Sequence, residues 1–122
     1  MRFNSERPIF AQIEELLAEQ VMDGRLGSGD RLPSARELAA SLEVNPNTAA
    51  RALQELADSG LARCERGTGY FVAAEGPAIA RTERQKLFFD EELPRLFKRM
   101  DALGIKLSEI LERYSATGRT GA

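Results

Sequence analysis

The stretch from Arg31 to Val72, RLPSARELAASLEVNPNTAARALQELADSGLARCERGTGYFV, constrains the fold most, because two helix starts, one helix stop and a glycine-tipped hairpin follow one another closely. Ser34-Ala35-Arg36-Glu37 has the S-x-x-E form of a capping box, in which the serine and glutamate side chains satisfy each other's orphan backbone donors. A short helix is therefore predicted from Ala35, with Leu38, Ala39 and Leu42 on one face, ending near Ser41 or Leu42. Glu43-Val44 leaves room only for a tight turn. Asn45 then offers an N-cap and Pro46 a preset first helical φ, starting a second helix that runs to Ser59 with Gly60 as its left-handed stop. After Gly60 the period changes. Leu61 to Glu65 and Tyr70 to Val72 are strand-like, and Gly67-Thr68-Gly69 can supply the positive φ of a tight hairpin. Helix, tight turn, helix and hairpin together make a winged helix-turn-helix.

Within the second helix, Ala49, Ala52, Leu53, Leu56 and Ala57 form the inner stripe, and Asn47, Thr48, Arg51 and Glu55 fall on the opposite side. A polar, donor-bearing outer face is what reading base edges in a major groove requires. On the wing, Arg63 and Arg66 are placed to meet phosphate. Upstream, Met1 to Arg7 is a polar lead-in. From Pro8, residues Ile9, Ile13, Leu16, Leu17 and Val21 recur at helical spacing, predicting an amphipathic helix that closes at Gly24 and packs behind the other two. Arg25-Leu26 is a candidate third strand of the wing, and Gly27-Ser28-Gly29-Asp30 is a turn cluster.

The Gly76-Pro77 pair is read as the end of this domain, giving a winged unit over 1–76 and a helical appendage over 77–122. In the appendage, Phe89, Leu93, Leu96, Phe97, Met100 and Leu103 recur at three- and four-residue spacing from about Ala78 to Met100 and just beyond, with Leu87 and Phe88 widening the stripe. Pro94 lies inside it and predicts a kink or break near Asp90 to Leu93. A last helix is predicted over Leu107 to Tyr114, with Leu107, Ile110, Leu111 and Tyr114 inward. The fold class is thus mainly α with a small β-wing, followed by a short two-helix C-terminal appendage. That appendage carries more large apolar residues than two helices can cover. The expected consequence is homodimerisation through Phe88, Phe89, Leu93, Leu96, Phe97, Met100, Ile110, Leu111 and Tyr114. A two-fold protein suits a palindromic operator with half-sites roughly 10 bp, or a multiple of that, apart.

Composition narrows the chemistry. The 122-residue chain has no His and one Cys, which excludes an intramolecular disulfide, ordinary zinc sites and His-based catalysis. Neither a cofactor nor enzymatic activity is therefore expected. No membrane-spanning run or secretory leader is visible, so a cytoplasmic location is expected. The net charge of −2 argues superficially against nucleic acid. Residues 1–76 hold eight Arg and twelve acids, net −4, whereas residues 77–122 hold nine basic and seven acidic residues, net +2. The acids Glu14, Glu15, Glu19 and Asp23 belong to the first helix, however. Arg31, Arg36, Arg51, Arg63 and Arg66 belong to the elements that would face DNA. Weak non-specific DNA binding is the expected result, since that term comes from phosphate neutralisation.

At these residues the chain resembles the GntR family of bacterial transcription regulators, on Pro8-Ile9-Phe10…Ile13, Gly29-Asp30-Arg31-Leu32-Pro33-Ser34, Arg36-Glu37-Leu38-Ala39, Val44-Asn45-Pro46-Asn47-Thr48 and Gly67-Thr68-Gly69-Tyr70-Phe71-Val72. The likeness covers roughly residues 7 to 73, and the Asn-Pro-Asn-Thr opening and short tail are similar to the YtrA-like subfamily. It implies a sequence-specific double-stranded DNA binder, more a repressor than an activator. The implied contacts are Arg31, Ser34, Arg36, Asn45, Asn47, Thr48, Arg51 and Arg66, with Gly67, Thr68 and Gly69 at the wing tip. Larger subfamilies carry a sizeable effector domain, for which this chain has no room, so any effector is expected to act through the helical tail.

Each residue also has a plainer role. Arg36 could be solvated, though a cation in a first helical turn opposes the helix dipole and hints at an external anion. Asn47 and Thr48 could be first-turn caps, Arg51 could pair with Glu55 at i+4, and Cys64 could pack as a small hydrophobe. The cluster of Phe88, Phe89 and Phe97 could line a ligand pocket, but core or dimer interface fits better. Two rival classes stand beside the regulator. One is a winged helix serving protein assembly, supported by the acidic balance. The other is an enzyme of the fused aminotransferase-like regulators, for which the chain is too short.

Overall fold

In the computed structural model, which describes residues 3–118, the chain forms α1 (Ile9–Met22), α2 (Ala35–Leu42), α3 (Pro46–Asp58), β1 (Ala62–Glu65), β2 (Gly69–Val72), α4 (Gly76–Leu87), a π-helical stretch (Phe88–Glu92), α5 (Leu93–Leu103) and α6 (Leu107–Ala116). It divides into two compact units, Met1–Glu83 and Arg84–Ala122, so the boundary falls inside α4.

The local signals act as their chemistry dictates. Ser34 Oγ accepts from the Glu37 N–H at 3.1 Å, and Glu37 Oε1 accepts from the Ser34 N–H at 3.3 Å, completing the capping box of α2. Glu43 ends α2 in the left-handed region at φ 56°, and Asn45 caps α3 through Oδ1 with Pro46 in the first turn. The core of the first unit is one cluster: Ile13, Leu17 and Val21 from α1, Leu32, Leu38 from α2, Ala49, Ala52, Leu53 and Leu56 from α3, Leu61 and Val72 from the wing, and Ala80 from α4. Burial of the Ile, Leu and Val side chains among these contributes about 1.5–3 kcal/mol each, and it sets the two helices of the motif against α1.

Four expectations in this unit are corrected. Ile9 is 42% exposed, and the buried stripe of α1 is Gln12, Ile13, Leu17, Ala18 and Val21. Residues Arg25-Leu26 form no strand, because the Asp23 carboxylate captures the Arg25 backbone and guanidinium in a turn. The wing is instead extended by Asp30–Leu32: Arg31 bridges Phe71, Leu32 N–H donates to Tyr70 O and Val72 N–H to Asp30 O, each at 2.8 Å. Cys64 is exposed rather than packed. Gly76 is buried and opens α4 rather than closing the domain, and a Cβ there would lie 2.6 Å from Leu61 O and 2.8 Å from Val72 Cγ1.

In the second unit, the disturbance expected from Pro94 takes a definite form. The Leu93 N–H donates to Phe88 O, a wider i−5 spacing, and α5 begins with Pro94 in its first turn, so the missing Pro94 N–H falls where the ladder has already widened. Gly104 closes α5 at φ 68°, and the Glu109 carboxylate accepts from the Lys106 N–H at the start of α6. The apolar residues of α6 are not inward: Leu107, Leu111 and Tyr114 are 61%, 56% and 45% exposed, with Ile110 half-buried. Phe88, Phe89, Leu96 and Phe97 are also exposed, Leu93 is half-buried, and Met100 is already buried within the chain.

Candidate nucleic-acid interface

Beyond Pro46 in its first turn, the exposed residues of α3 are Asn47, Ala50, Arg51, Gln54 and Asp58, at i, i+3, i+4, i+7 and i+11. That spacing makes one continuous outward face. Thr48 and Glu55 are half-buried at its margins, so the face is centred one residue away from where the sequence pattern alone sets it. Gln54, missed in the sequence, lies on this face. Its Nε2 donates to Asp58 Oδ1 at 2.9 Å and its Oε1 accepts from Tyr70 Oη at 3.1 Å, which braces the hairpin against α3. Burial, then the neighbouring Cys64, raises the Tyr70 pKa and keeps that hydroxyl a donor.

The wing tip is shaped by its backbone. Gly67 and Gly69 sit at φ 77° and 131°, conformations that L side chains rarely adopt, and Thr68 N–H closes the turn onto Glu65 O at 2.9 Å. A Cβ on Gly69 would also come within 3.3 Å of Arg31 Nε. Arg31, though exposed, is engaged within the protein: its Nε donates to Thr68 O at 3.4 Å and its Nη1 to Glu37 Oε1 at 3.3 Å. Hydrogen bonds from Ser34, then Arg31, hold the Glu37 carboxyl below the usual carboxylate range.

The described arginines of the first unit fall into two groups. Arg7, Arg25, Arg31 and Arg63 are ion-paired with Glu15, Asp23, Glu37 and Glu65, and Arg63 also lies over the Phe71 ring. Arg36 on α2, Arg51 on α3, Arg66 on the wing and Arg81 on α4 are exposed and have no acidic partner among the described residues. Arg51 does not pair with Glu55. Its guanidinium stacks on Phe10 of α1, 3.8 Å from the ring centroid. The Asn47 and Thr48 side chains make no hydrogen bond among the described residues either, whereas those of Ser34 and Asn45 serve as helix caps.

No group of His, Cys, Asp and Glu able to hold a metal occurs among the described residues, and no described helix is long and apolar enough to cross a membrane.

Two packed helices joined by a tight turn, a hairpin wing beside them and unpaired arginines on all three define a winged helix-turn-helix DNA-binding domain. Residues 10–72 match the bacterial regulatory proteins of the gntR family, and the chain belongs to that family as a transcriptional regulator. It is 32% identical over 108 residues to the HTH-type transcriptional repressor YtrA of Bacillus subtilis, covering 88% of this chain and 82% of YtrA. Its fold is similar to that of a GntR family transcriptional regulator from Listeria monocytogenes, with a TM-score of 0.75 and 29% identity over 93% of this chain and 98% of that one. The AraR DNA-binding domain, solved in complex with its operator ORR3, is also similar, with a TM-score of 0.53 and 28% identity over 60% of this chain and 90% of that one.

Proposed function

We propose that the protein is a transcriptional repressor that occupies a palindromic operator as a homodimer. The observation that carries this reading is the division of arginines between Arg7 and Val72: those left without an acidic partner among the described residues, Arg36, Arg51 and Arg66, lie on α2, α3 and the wing, and beyond them Arg81 on α4 is also unpaired. An exposed arginine with no acidic partner keeps its full fork of donors for guanine edges or phosphate. In this reading Arg36, Asn47, Thr48 and Arg51 meet the major groove, Arg66 and the Gly67-Thr68-Gly69 tip follow the backbone, and Arg31, Ser34 and Asn45 hold the elements in place. The operator complex of AraR supports this docking, and the repressor role of YtrA supports the direction of control. The exposed apolar residues of the second unit supply the surface a second copy would cover.

The test is binding to DNA from the promoter of its own operon across a salt series. Tight sequence-preferring binding should fall steeply with salt, with a log–log slope set by the phosphates neutralised. Absence of sequence-preferring binding at low salt would instead favour a winged helix used for protein assembly.

A further inference from the structure

We propose that Phe10, on the helix behind the motif, is a positioning residue that sets the height and direction of the Arg51 guanidinium on the outward face of α3. This inference rests on the place given to Arg51 in the reading above. Arg51 is exposed and has no acidic partner among the described residues, so nothing ionic restrains its long side chain. Its restraint is the Phe10 ring, with the guanidinium carbon 3.8 Å from the centroid. A guanidinium stacked face-on satisfies its π surface while all its N–H groups point outward around the edge. The stack therefore orders the side chain without consuming the donors that a base or phosphate would take. A salt bridge to Glu55 would have consumed them.

The ring is itself held firmly. Phe10 is half-buried and packs against the core cluster, and the first turn of α1 is tied down by Gln12, which is only 5% exposed. Gln12 Nε2 donates to Asn4 O at 2.8 Å and to Arg7 O at 2.9 Å, and its Oε1 accepts from the Asn4 N–H at 3.0 Å. Arg7 is ion-paired with Glu15 one turn further on. A side chain placed by a rigid shell loses less freedom on binding, which is how preorganisation raises affinity.

The experiment measures full-length protein on an operator selected from random DNA and on an unrelated duplex. Phe10→Leu keeps apolar volume and removes the π face; it should weaken operator binding roughly threefold to thirtyfold, with the unrelated duplex unchanged. Phe10→Tyr should restore binding. In an Arg51→Ala background, Phe10→Leu should cost nothing further. An equal loss in both backgrounds would make Phe10 merely structural, and tighter operator binding by Phe10→Leu would mean the stack withholds Arg51; either result overturns the proposal. Unchanged binding by Arg51→Ala would also overturn it, while Arg36 and the wing could still carry the proposed DNA interface. Should Phe10→Leu fail to fold, Phe10→Met is read by the same criteria.

Discussion

Arg31 Nη1 lies 3.3 Å from Glu37 Oε1, while the same guanidinium donates to Thr68 O, so one side chain joins the start of α2 to the tip of the wing. Glu37 is at once the second half of the α2 capping box. Arg31→Ala should leave the domain folded but free the hairpin tip. Faster amide exchange at Thr68 than in the wild type, with unchanged exchange in α3, is the expected signature; unchanged exchange at both would show that the wing holds itself.

The capping box carries a pH dependence. The Glu37 pKa is lowered in the fold, by Ser34 first and Arg31 after it, so its contribution to stability is present above the ordinary carboxylate range and is lost as pH falls through its lowered value. The carboxyl of Asp23, lowered by Arg25, acts in the same window, so only a difference between variants isolates Glu37. Glu37→Gln should be less stable than the wild type at neutral pH, and the two denaturation midpoints should converge in acid. Ser34→Ala removes the other half of the box and should cost about 1 kcal/mol.

Gly76→Ala should destabilise the first unit by about 1–3 kcal/mol, because the added methyl meets the Leu61 carbonyl and the Val72 side chain at distances that require backbone movement. Chemical denaturation measures this directly. Gly24→Ala, where nothing lies within 4 Å of the added methyl but φ is 87°, controls for backbone strain alone.

Arg36→Ala should reduce operator affinity by about 1–3 kcal/mol if its guanidinium meets a base edge, with an unchanged circular dichroism spectrum. Retained affinity would remove Arg36 from the interface.

Leu107→Glu combined with Leu111→Glu places charge on the exposed apolar face of α6. Sizing should then give a monomer, and operator binding should weaken because one half-site no longer reinforces the other. A dimer of wild-type size would move the interface to the phenylalanines of the π-helical stretch and α5.

The helix-turn-helix was legible in the sequence because its boundaries are local chemistry. Ser34 with Glu37, Asn45 with Pro46, and Gly60 each act within one turn of the chain, and the hairpin declares itself through Gly67 and Gly69. The inner stripe of α3 was legible for the same reason, since helical period alone sorts Ala49, Ala52, Leu53 and Leu56 inward. Less was legible wherever a residue's partner is remote. Gln12 reads as a polar break in an apolar stripe, yet its amide is buried because the backbone of Asn4 and Arg7 folds back to meet it. Cys64 looks like a strand interior residue, but a two-stranded wing has only one covered face.

The sequence by itself determined the elements, their caps and the residues each could turn outward, since these depend on spacing and on neighbours within a few positions. Only the tertiary structure decided which cations are engaged. Arg31, Arg63 and Arg51 are equivalent as letters, but one is drawn between α2 and the wing, one is paired along its own strand, and one rests on Phe10 with its donors free. The physical reason is that a long cationic side chain settles on whichever carboxylate, carbonyl or ring the fold brings within reach, and those partners lie up to 41 residues away along the chain, as Phe10 does from Arg51.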